Sequence, residues 1–312
     1  MNLALVIPVF EDWESASLLC GMIDEALAGL SHRITVFFID DGSFTSAPRD
    51  LIAKQSLKAI GEIDILRLRR NVGHQRAIAL GLAWVELHSP VDAVIVMDGD
   101  GEDIPRDIPA LLTQAAQTGL TKVVFAERGK RLDGRLFRTL YLGYRIAHRL
   151  LTGRGIRFGN FSVIPFCFVK RLTTMPELWG HYAAAVLNAG IPYTTVRVNR
   201  GHRLRGTTKM NLESLILHGL AAVAVYQTVA VRVLMGSAAL SGLFLVLGAV
   251  VAALGIAGWG VIAGICLLLT CIIAFNAVLY VFTSLSFRHL MGVLPARDYV
   301  HFVDDCVRIY PR

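Results

Sequence analysis

Between Val233 and Phe287 the chain carries not one charged residue. A helix needs roughly 20 apolar residues to cross a bilayer, so this run holds two spans. The natural division is Val233 to Ile256 and Trp259 to Leu285, joined by a Gly-rich turn near Ala257 and Gly258. A buried core hairpin is the alternative. The run also accounts for a mean hydropathy of +0.54, too high for an ordinary soluble domain. Arg232 precedes it, Arg288 and Arg297 follow it, and the turn is uncharged. The positive-inside rule then puts both ends, and the residues before them, in the cytoplasm. Leu3 to Ile7 is too short for a signal-peptide core and stops at Pro8.

Residues 1 to 126 read differently. Short β-branched runs (Leu3–Pro8, Ile34–Asp40, Ile63–Leu68, Ala93–Asp98, Lys122–Ala126) alternate with helical stretches near Ser15–Leu30, Pro48–Ile60, Gln75–Glu86 and Pro105–Gln117. Near-continuous apolar strands alternating with helices predict an α/β fold, a mostly parallel sheet covered on both faces. The five cysteines show no metal or disulfide spacing and read as packing residues in a reducing compartment. The net charge of +7, beside a membrane run, points to anionic headgroups and phosphorylated substrates in preference to nucleic acid.

Chemistry-bearing residues cluster where these strands end. Pro8-Val9-Phe10-Glu11-Asp12 leaves the first, Asp40-Asp41-Gly42-Ser43 the second, Arg69-Arg70-Asn71-Val72-Gly73-His74-Gln75 the third and Asp98-Gly99-Asp100 the fourth. Open α/β sheets bind ligands outside the carboxyl ends of their strands. Asp98 and Asp100, separated by one glycine, converge on one ion in a loosened turn. Hard oxygen ligands of this kind suit Mg²⁺ or Mn²⁺ bridging nucleotide phosphates. Read alone, the same residues also describe an acidic surface turn.

The ordered set P-V-F-E-D, D-D-G-S, R-N-V-G-H-Q and D-G-D-G-E-D-I-P resembles the family 2 glycosyltransferases of GT-A fold. It is most similar to the dolichyl-phosphate mannosyltransferase and polyprenyl-phosphate glycosyltransferase branch. The likeness covers about the first two thirds of the chain, and the paired C-terminal spans resemble bacterial members with a membrane hairpin. It implies that Pro8, Asp12 and Asp41 line the base and ribose pocket, flanked by Arg70 and Gly73. Asp98 and Asp100 become the D-x-D acids holding metal and diphosphate. Glu102 stands where relatives tend to carry a metal-touching glutamine. Glu11 and Asp12 replace the usual Asn-Glu.

Glu127 to Arg157 interleaves Arg128, Lys130, Arg131, Arg135, Arg138, Arg145 and Arg149 with Leu136, Phe137, Tyr141 and Tyr144. That pattern describes an amphipathic helix in a membrane interface, or else a basic solvated face. The resemblance makes this the acceptor-phosphate segment, with Arg128 and Arg138 best matched and Arg131 between them. Asn160 and Ser162 stand where relatives show the Asp and Arg of Gly-Asp-Phe-Arg. His181 lies near the place where hydroxyl-glycosylating relatives carry a base, and a structural or acceptor-contacting histidine is the other reading. Residues 197 to 210 resemble the R-x-x-G-x-S-K loop that closes over phosphate, with Arg205 and Lys209 carrying the match.

The expected organisation is a glycosyltransferase domain over 1–210, with 127–157 as its interfacial segment. A juxtamembrane helix over 211–232, a transmembrane hairpin over 233–287 and an amphipathic cytoplasmic tail over 288–312 with no assigned role follow. The resemblance implies an inverting transfer from a nucleotide-diphosphate sugar to polyprenyl phosphate at the cytoplasmic membrane face. Asp98, Asp100, Asn160 and His181 form the catalytic set, and Asp98, Asp100 and Glu102 the metal set. Two other readings stay open: transfer to a lipid hydroxyl with His181 as base, and a non-catalytic nucleotide-sugar-binding membrane partner. A two-span hairpin is too little for a sugar channel, so a separate flippase is expected, and amphipathic surfaces at a membrane also favour a homo-oligomer.

Overall fold

The computed structural model describes residues 1–48, 57–128, 158–199, 201–205, 225–255 and 258–311. Alternation along each strand decides its two faces. In β1 (Asn2–Val9) Leu3, Leu5 and Ile7 point one way, Ala4 and Val6 the other. In β2 (Arg33–Asp40) Val36 and Phe38 oppose Phe37 and Ile39. Both faces are apolar, so both need cover. α1 (Trp13–Leu27) and α3 (Ile108–Gln117) cover one face. α2 (His74–His88), α4 (Phe166–Thr173) and α5 (Tyr182–Asn188) cover the other. The core is thus two layers sharing one sheet.

The remaining strands are β3 (Ile60–Leu68), β4 (Ala93–Val96), β5 (Val123–Arg128), β6 (Ser162–Pro165), β7 (Tyr193–Val198) and β8 (Val303–Tyr310). All eight form one sheet in the order β7-β5-β6-β4-β1-β2-β3-β8. β3, β2, β1 and β4 run parallel, as do β5 and β7, while β6 is antiparallel to β4 and β5. The expected parallel-dominated α/β sheet is present. The start of β6 therefore lies at the same edge as the ends of β1, β2 and β4: Ser162 pairs with Val96.

Several boundaries differ from expectation for local reasons. β4 stops at Val96, opposite Val6, two residues before Asp98. Pro8 therefore lies beyond the β4 ladder, where its missing N–H costs no sheet hydrogen bond. A helix over Pro48–Ile60 does not run to its expected end. Residues 57–59 are irregular, Ile60 opens β3, and 49–56 lie outside the described residues. The Asp24 carboxylate accepts the Lys58, Ala59 and Ile60 N–H groups at 2.8–3.0 Å, which fixes that entry as extended chain. Pro105–Gln117 is a 3₁₀ turn, Pro105–Asp107, followed by α3.

The apolar run folds as α6 (Gln227–Ala253) and α7 (Trp259–Met291), and Gly248 meets Ile265 between them. α6 starts inside the segment read as juxtamembrane, and 211–224 lies outside the described residues. Among the described residues one stretch, Met235–Ala253, is long and apolar enough to cross a membrane, and only 6 % of it is buried against protein. The described apolar part of α7, Gly260–Asn276, is shorter than a span. Two transmembrane helices are therefore not both established by length and composition.

The tail takes a definite place. After the short helix α8 (Pro295–Asp298), β8 joins the free edge of β3 in antiparallel register, Leu66 opposite Cys306 and Asp64 opposite Arg308. Residues from the far end of the chain thus complete the sheet that residues 2–9 begin.

Candidate active site

The carboxyl edge of the sheet gathers the motifs. Asp41, buried at the end of β2, accepts the N–H groups of Val72 (2.7 Å) and Gly73 (3.0 Å). Burial pushes its pKa up, and those two hydrogen bonds oppose the shift. Both oxygens already hold the loop after β3 against the loop after β2. Gly42 makes that approach possible: it has φ +69°, and a Cβ there would collide with the Arg70 and Asn71 backbone. The exit of β1 is tied to the same loop. Glu11 Oε1 accepts from Phe44 N–H and from Thr45 N–H (3.2 Å), and Glu11 N–H donates to Ser43 Oγ at 3.0 Å.

The D-x-D turn is braced from within. Asp103, almost fully buried, accepts the Asp98 N–H at 2.9 Å, and Asp100 Oδ1 accepts the Glu102 N–H at 3.0 Å. The segment 201–205 then docks on the turn through its main chain. Gly201 N–H donates to Glu102 O and Leu204 N–H to Asp100 O, each at 2.9 Å. Leu204 lies over Gly101, whose φ of +85° and missing Cβ leave room for it.

This docking sends the two arginines of the segment to different partners. Arg205 pairs with Glu14 on α1 (2.9 Å), both well exposed. Arg203 is the arginine at the acids, 3.6 Å from Asp12 Oδ2 and 3.8 Å from Asp100 Oδ2. The signal was in the sequence, since R-x-x-G-x-S-K counted back from Lys209 begins at Arg203, not Arg205.

The sequence placed two further residues in the R-N-V-G-H-Q exit without giving them a role. His74 and Gln75 open α2, and His74 Nε2 lies 3.0 Å from Asp98 Oδ1. Burial acts to lower the His74 pKa, but Asp98, Asp100 and Asp103 outweigh it and hold it above its ordinary value. With 42 % of its side chain exposed the ring is not cut off from water, so the carboxylates decide the sign. Asn160 Nδ2 is 3.2 Å from the same Asp98 oxygen and 3.0 Å from His74 Nε2, and Asn160 Oδ1 accepts from Gln75 Nε2 at 3.1 Å.

His181 sits at a helix start. It is buried at the N-cap of α5, where Nδ1 accepts from Ala184 N–H at 3.4 Å. Arg70, in the loop after β3, lies over the Phe302 ring, 5.9 Å from its centroid. Arg128 closes β5 beside Val198. Arg131, Arg138 and Lys209, and with them most of the 127–157 segment, lie outside the described residues.

Asp98, Asp100 and Glu102 are not brought into a ready three-ligand set, and no cluster of three or more potential metal ligands occurs among the described residues. A divalent ion still fits. Mg²⁺ is ordinarily held by one or two carboxylates plus substrate phosphates, not by an all-protein cage. Burial raises the Asp100 pKa, and the Asp98 and Glu102 charges raise it further, against opposition from the Glu102 N–H and Arg203. Such crowding of acids at a sheet edge favours a bound cation.

The family model for glycosyl transferase family 2 matches residues 4–173, from β1 through α4. The chain belongs to glycosyl transferase family 2. Within that family-wide likeness, a prophage bactoprenol glucosyl transferase homolog of Escherichia coli (strain K12) is 27 % identical over 232 residues, 72 % of this chain and 73 % of the relative. The undecaprenyl-phosphate 4-deoxy-4-formamido-L-arabinose transferase of Salmonella choleraesuis (strain SC-B67) is 33 % identical over 114 residues, 36 % of this chain and 33 % of the relative. Among solved structures, mannosyl-3-phosphoglycerate synthase from Rubrobacter xylanophilus matches with a TM-score of 0.52 at 12 % identity, covering 76 % of this chain and 75 % of that one. At that identity the likeness is one of fold.

Proposed function

We propose that this family 2 chain transfers a sugar from a nucleotide-diphosphate donor to a polyprenyl phosphate at the cytoplasmic membrane face, with inversion and with Mg²⁺ or Mn²⁺. The observation that carries the reading is the meeting of Asp12, Asp98, Asp100 and Arg203 at the carboxyl edge of the sheet. The relatives named for bactoprenol and undecaprenyl-phosphate transfer support the acceptor class.

Asp98 and Asp100 would hold the ion, with Glu102 beside them, and the ion would supply charge neutralisation at the leaving diphosphate. Arg203 stands where a guanidinium can share that charge, and Lys209 belongs to the same basic loop. The donor pocket is formed by Pro8, Asp12 and the welded loops after β2 and β3. Asn160 cannot accept a proton as a carboxylate would. An ionised acceptor phosphate needs no general base, so Asn160 and the capping role of His181 favour phosphate over hydroxyl. Arg128, Arg131 and Arg138 are the proposed acceptor contacts.

The fold also supports the hairpin. β8 pairs with β3, so the chain before residue 206 and the chain after residue 302 share one side of any membrane. Crossings between them must be even in number. If Met235–Ala253 spans, α7 is the return.

The test follows nucleotide release by the detergent-purified chain with Mn²⁺ and a panel of UDP- and GDP-sugars. A short polyprenyl phosphate, the corresponding alcohol, ceramide and diacylglycerol are offered in parallel. Release that needs the phosphate, disappears in EDTA and falls at least about a hundredfold in Asp100→Ala is the expected result. Release with the alcohol or another hydroxyl lipid alone would move the acceptor to a hydroxyl. Metal-dependent donor binding without release on any lipid would leave a binding partner and no enzyme.

A further inference from the structure

A backbone N–H can only donate. That of Tyr182, in the first turn of α5, donates to Gln75 Oε1 at 2.8 Å, which turns Gln75 Nε2 toward Asn160. Gln75 Nε2 donates to Asn160 Oδ1 at 3.1 Å, so Asn160 presents its Nδ2 to the far side, where Asp98 Oδ1 lies at 3.2 Å and His74 Nε2 at 3.0 Å. Each amide takes its hydrogen bond on oxygen and passes one on from nitrogen, so direction travels from a fixed backbone donor to the first acid of the D-x-D turn. Asn160 is 8 % exposed and has little access to water as a substitute partner. Its backbone is held from the same place: Ser162 Oγ donates to Asn160 O at 2.9 Å and lies 2.6 Å from the Tyr182 hydroxyl.

We propose that Gln75 is a positioning residue for the metal and diphosphate site, acting through the orientation of the Asn160 amide. With Gln75 in place, a donor faces Asp98 Oδ1. With Asn160 reversed, its amide oxygen faces the carboxylate, acceptor against acceptor, and competes with Asp98 for the His74 Nε2 donor, so Asp98 turns away from the orientation that meets the ion. The inference rests on the metal-dependent reading above and adds to it a residue that touches neither ion nor donor.

The test measures UDP and GDP affinity of the full chain in detergent by calorimetry, at fixed Mn²⁺ and again in EDTA. Gln75→Glu keeps the acceptor for Tyr182 N–H and replaces the donor to Asn160 with an acceptor, while Gln75→Leu removes both. Both variants should lose about tenfold in the Mn²⁺-dependent affinity, the scale of one hydrogen bond to a charged group, with the affinity in EDTA unchanged. In an Asn160→Ala background neither should have a further effect. Parent-like affinity in Mn²⁺, an equal loss in EDTA, or a loss confined to Gln75→Glu each overturns the inference and leaves the metal reading standing. A parent chain whose nucleotide affinity ignores Mn²⁺ overturns both.

Discussion

Arg203 bridges two carboxylates that reach the site from different strands, Asp12 after β1 and Asp100 after β4. Its side chain is only a quarter exposed, whereas Arg205 and Glu14 are both more than half exposed. A desolvated guanidinium at the acids matters more than an exposed surface pair, which is worth about 0–1 kcal/mol. Arg203→Ala should therefore weaken UDP or GDP binding about tenfold in a calorimetric titration, and Arg205→Ala less than about threefold. Equal losses, or a larger one at Arg205, would return the donor contact to the position first expected. The same scale explains why Asp-Asp-Gly-Ser was legible as a turn but not as a weld. Gly chemistry at a turn is local, while the backbone that Gly42 admits belongs to Arg70 and Asn71.

β8 was not legible in the tail because Val303–Tyr310 is half polar and lies beyond the uncharged apolar run. It becomes a strand because β3 offers an unpaired edge and because its charges match. Arg308 grips Asp64 through two hydrogen bonds (2.8 and 3.1 Å) and also reaches Glu62 (2.9 Å), while Arg67 pairs with Asp305. Asp64 is almost fully buried, so it depends on that partner. Arg308→Ala should lower stability by about 1–3 kcal/mol, read as a fall in the thermal unfolding midpoint of the full chain in detergent, and Arg67→Ala by less. An unchanged midpoint for Arg308→Ala would show that the strand is held by its backbone ladder alone. β6 and β7 went unread for simpler reasons. Four residues make too short a run, and β7 lies at the edge of the sheet with little apolar contrast.

At the scale of the molecule, the closing strand makes the chain a loop that leaves the sheet and returns to it. Whatever crosses a membrane between residues 206 and 302 must cross back. In a cysteine-free background, Gly258→Cys should react with an impermeant maleimide in right-side-out vesicles and not in inverted ones. A cysteine at exposed Leu87 should do the opposite. Labelling of both positions from one side would remove α6 and α7 as a spanning hairpin. The segment between α8 and β8 also meets the loop after β3. Phe302 accepts the Arg69 N–H through its carbonyl (2.8 Å) and places its ring under Arg70 and against Trp179, which precedes the His181 cap.

Sequence alone determined what local periodicity and turn chemistry carry: the α/β alternation, the four polar strand exits, the acid pair with its intervening glycine, and the uncharged run. Each depends on residues within a few positions of one another, so a linear reading reaches it. Tertiary structure decided which side chains meet. It put Arg203 beside Asp12 and Asp100 and Arg205 on Glu14, set His181 at the cap of α5, and brought His74, Gln75 and Asn160 to Asp98. It also spent both Asp41 oxygens on a neighbouring loop. Apart from the local His181 cap, those outcomes follow from main-chain and side-chain contacts between segments far apart in the chain. A spacing motif does not contain the loop geometry that such bonds impose.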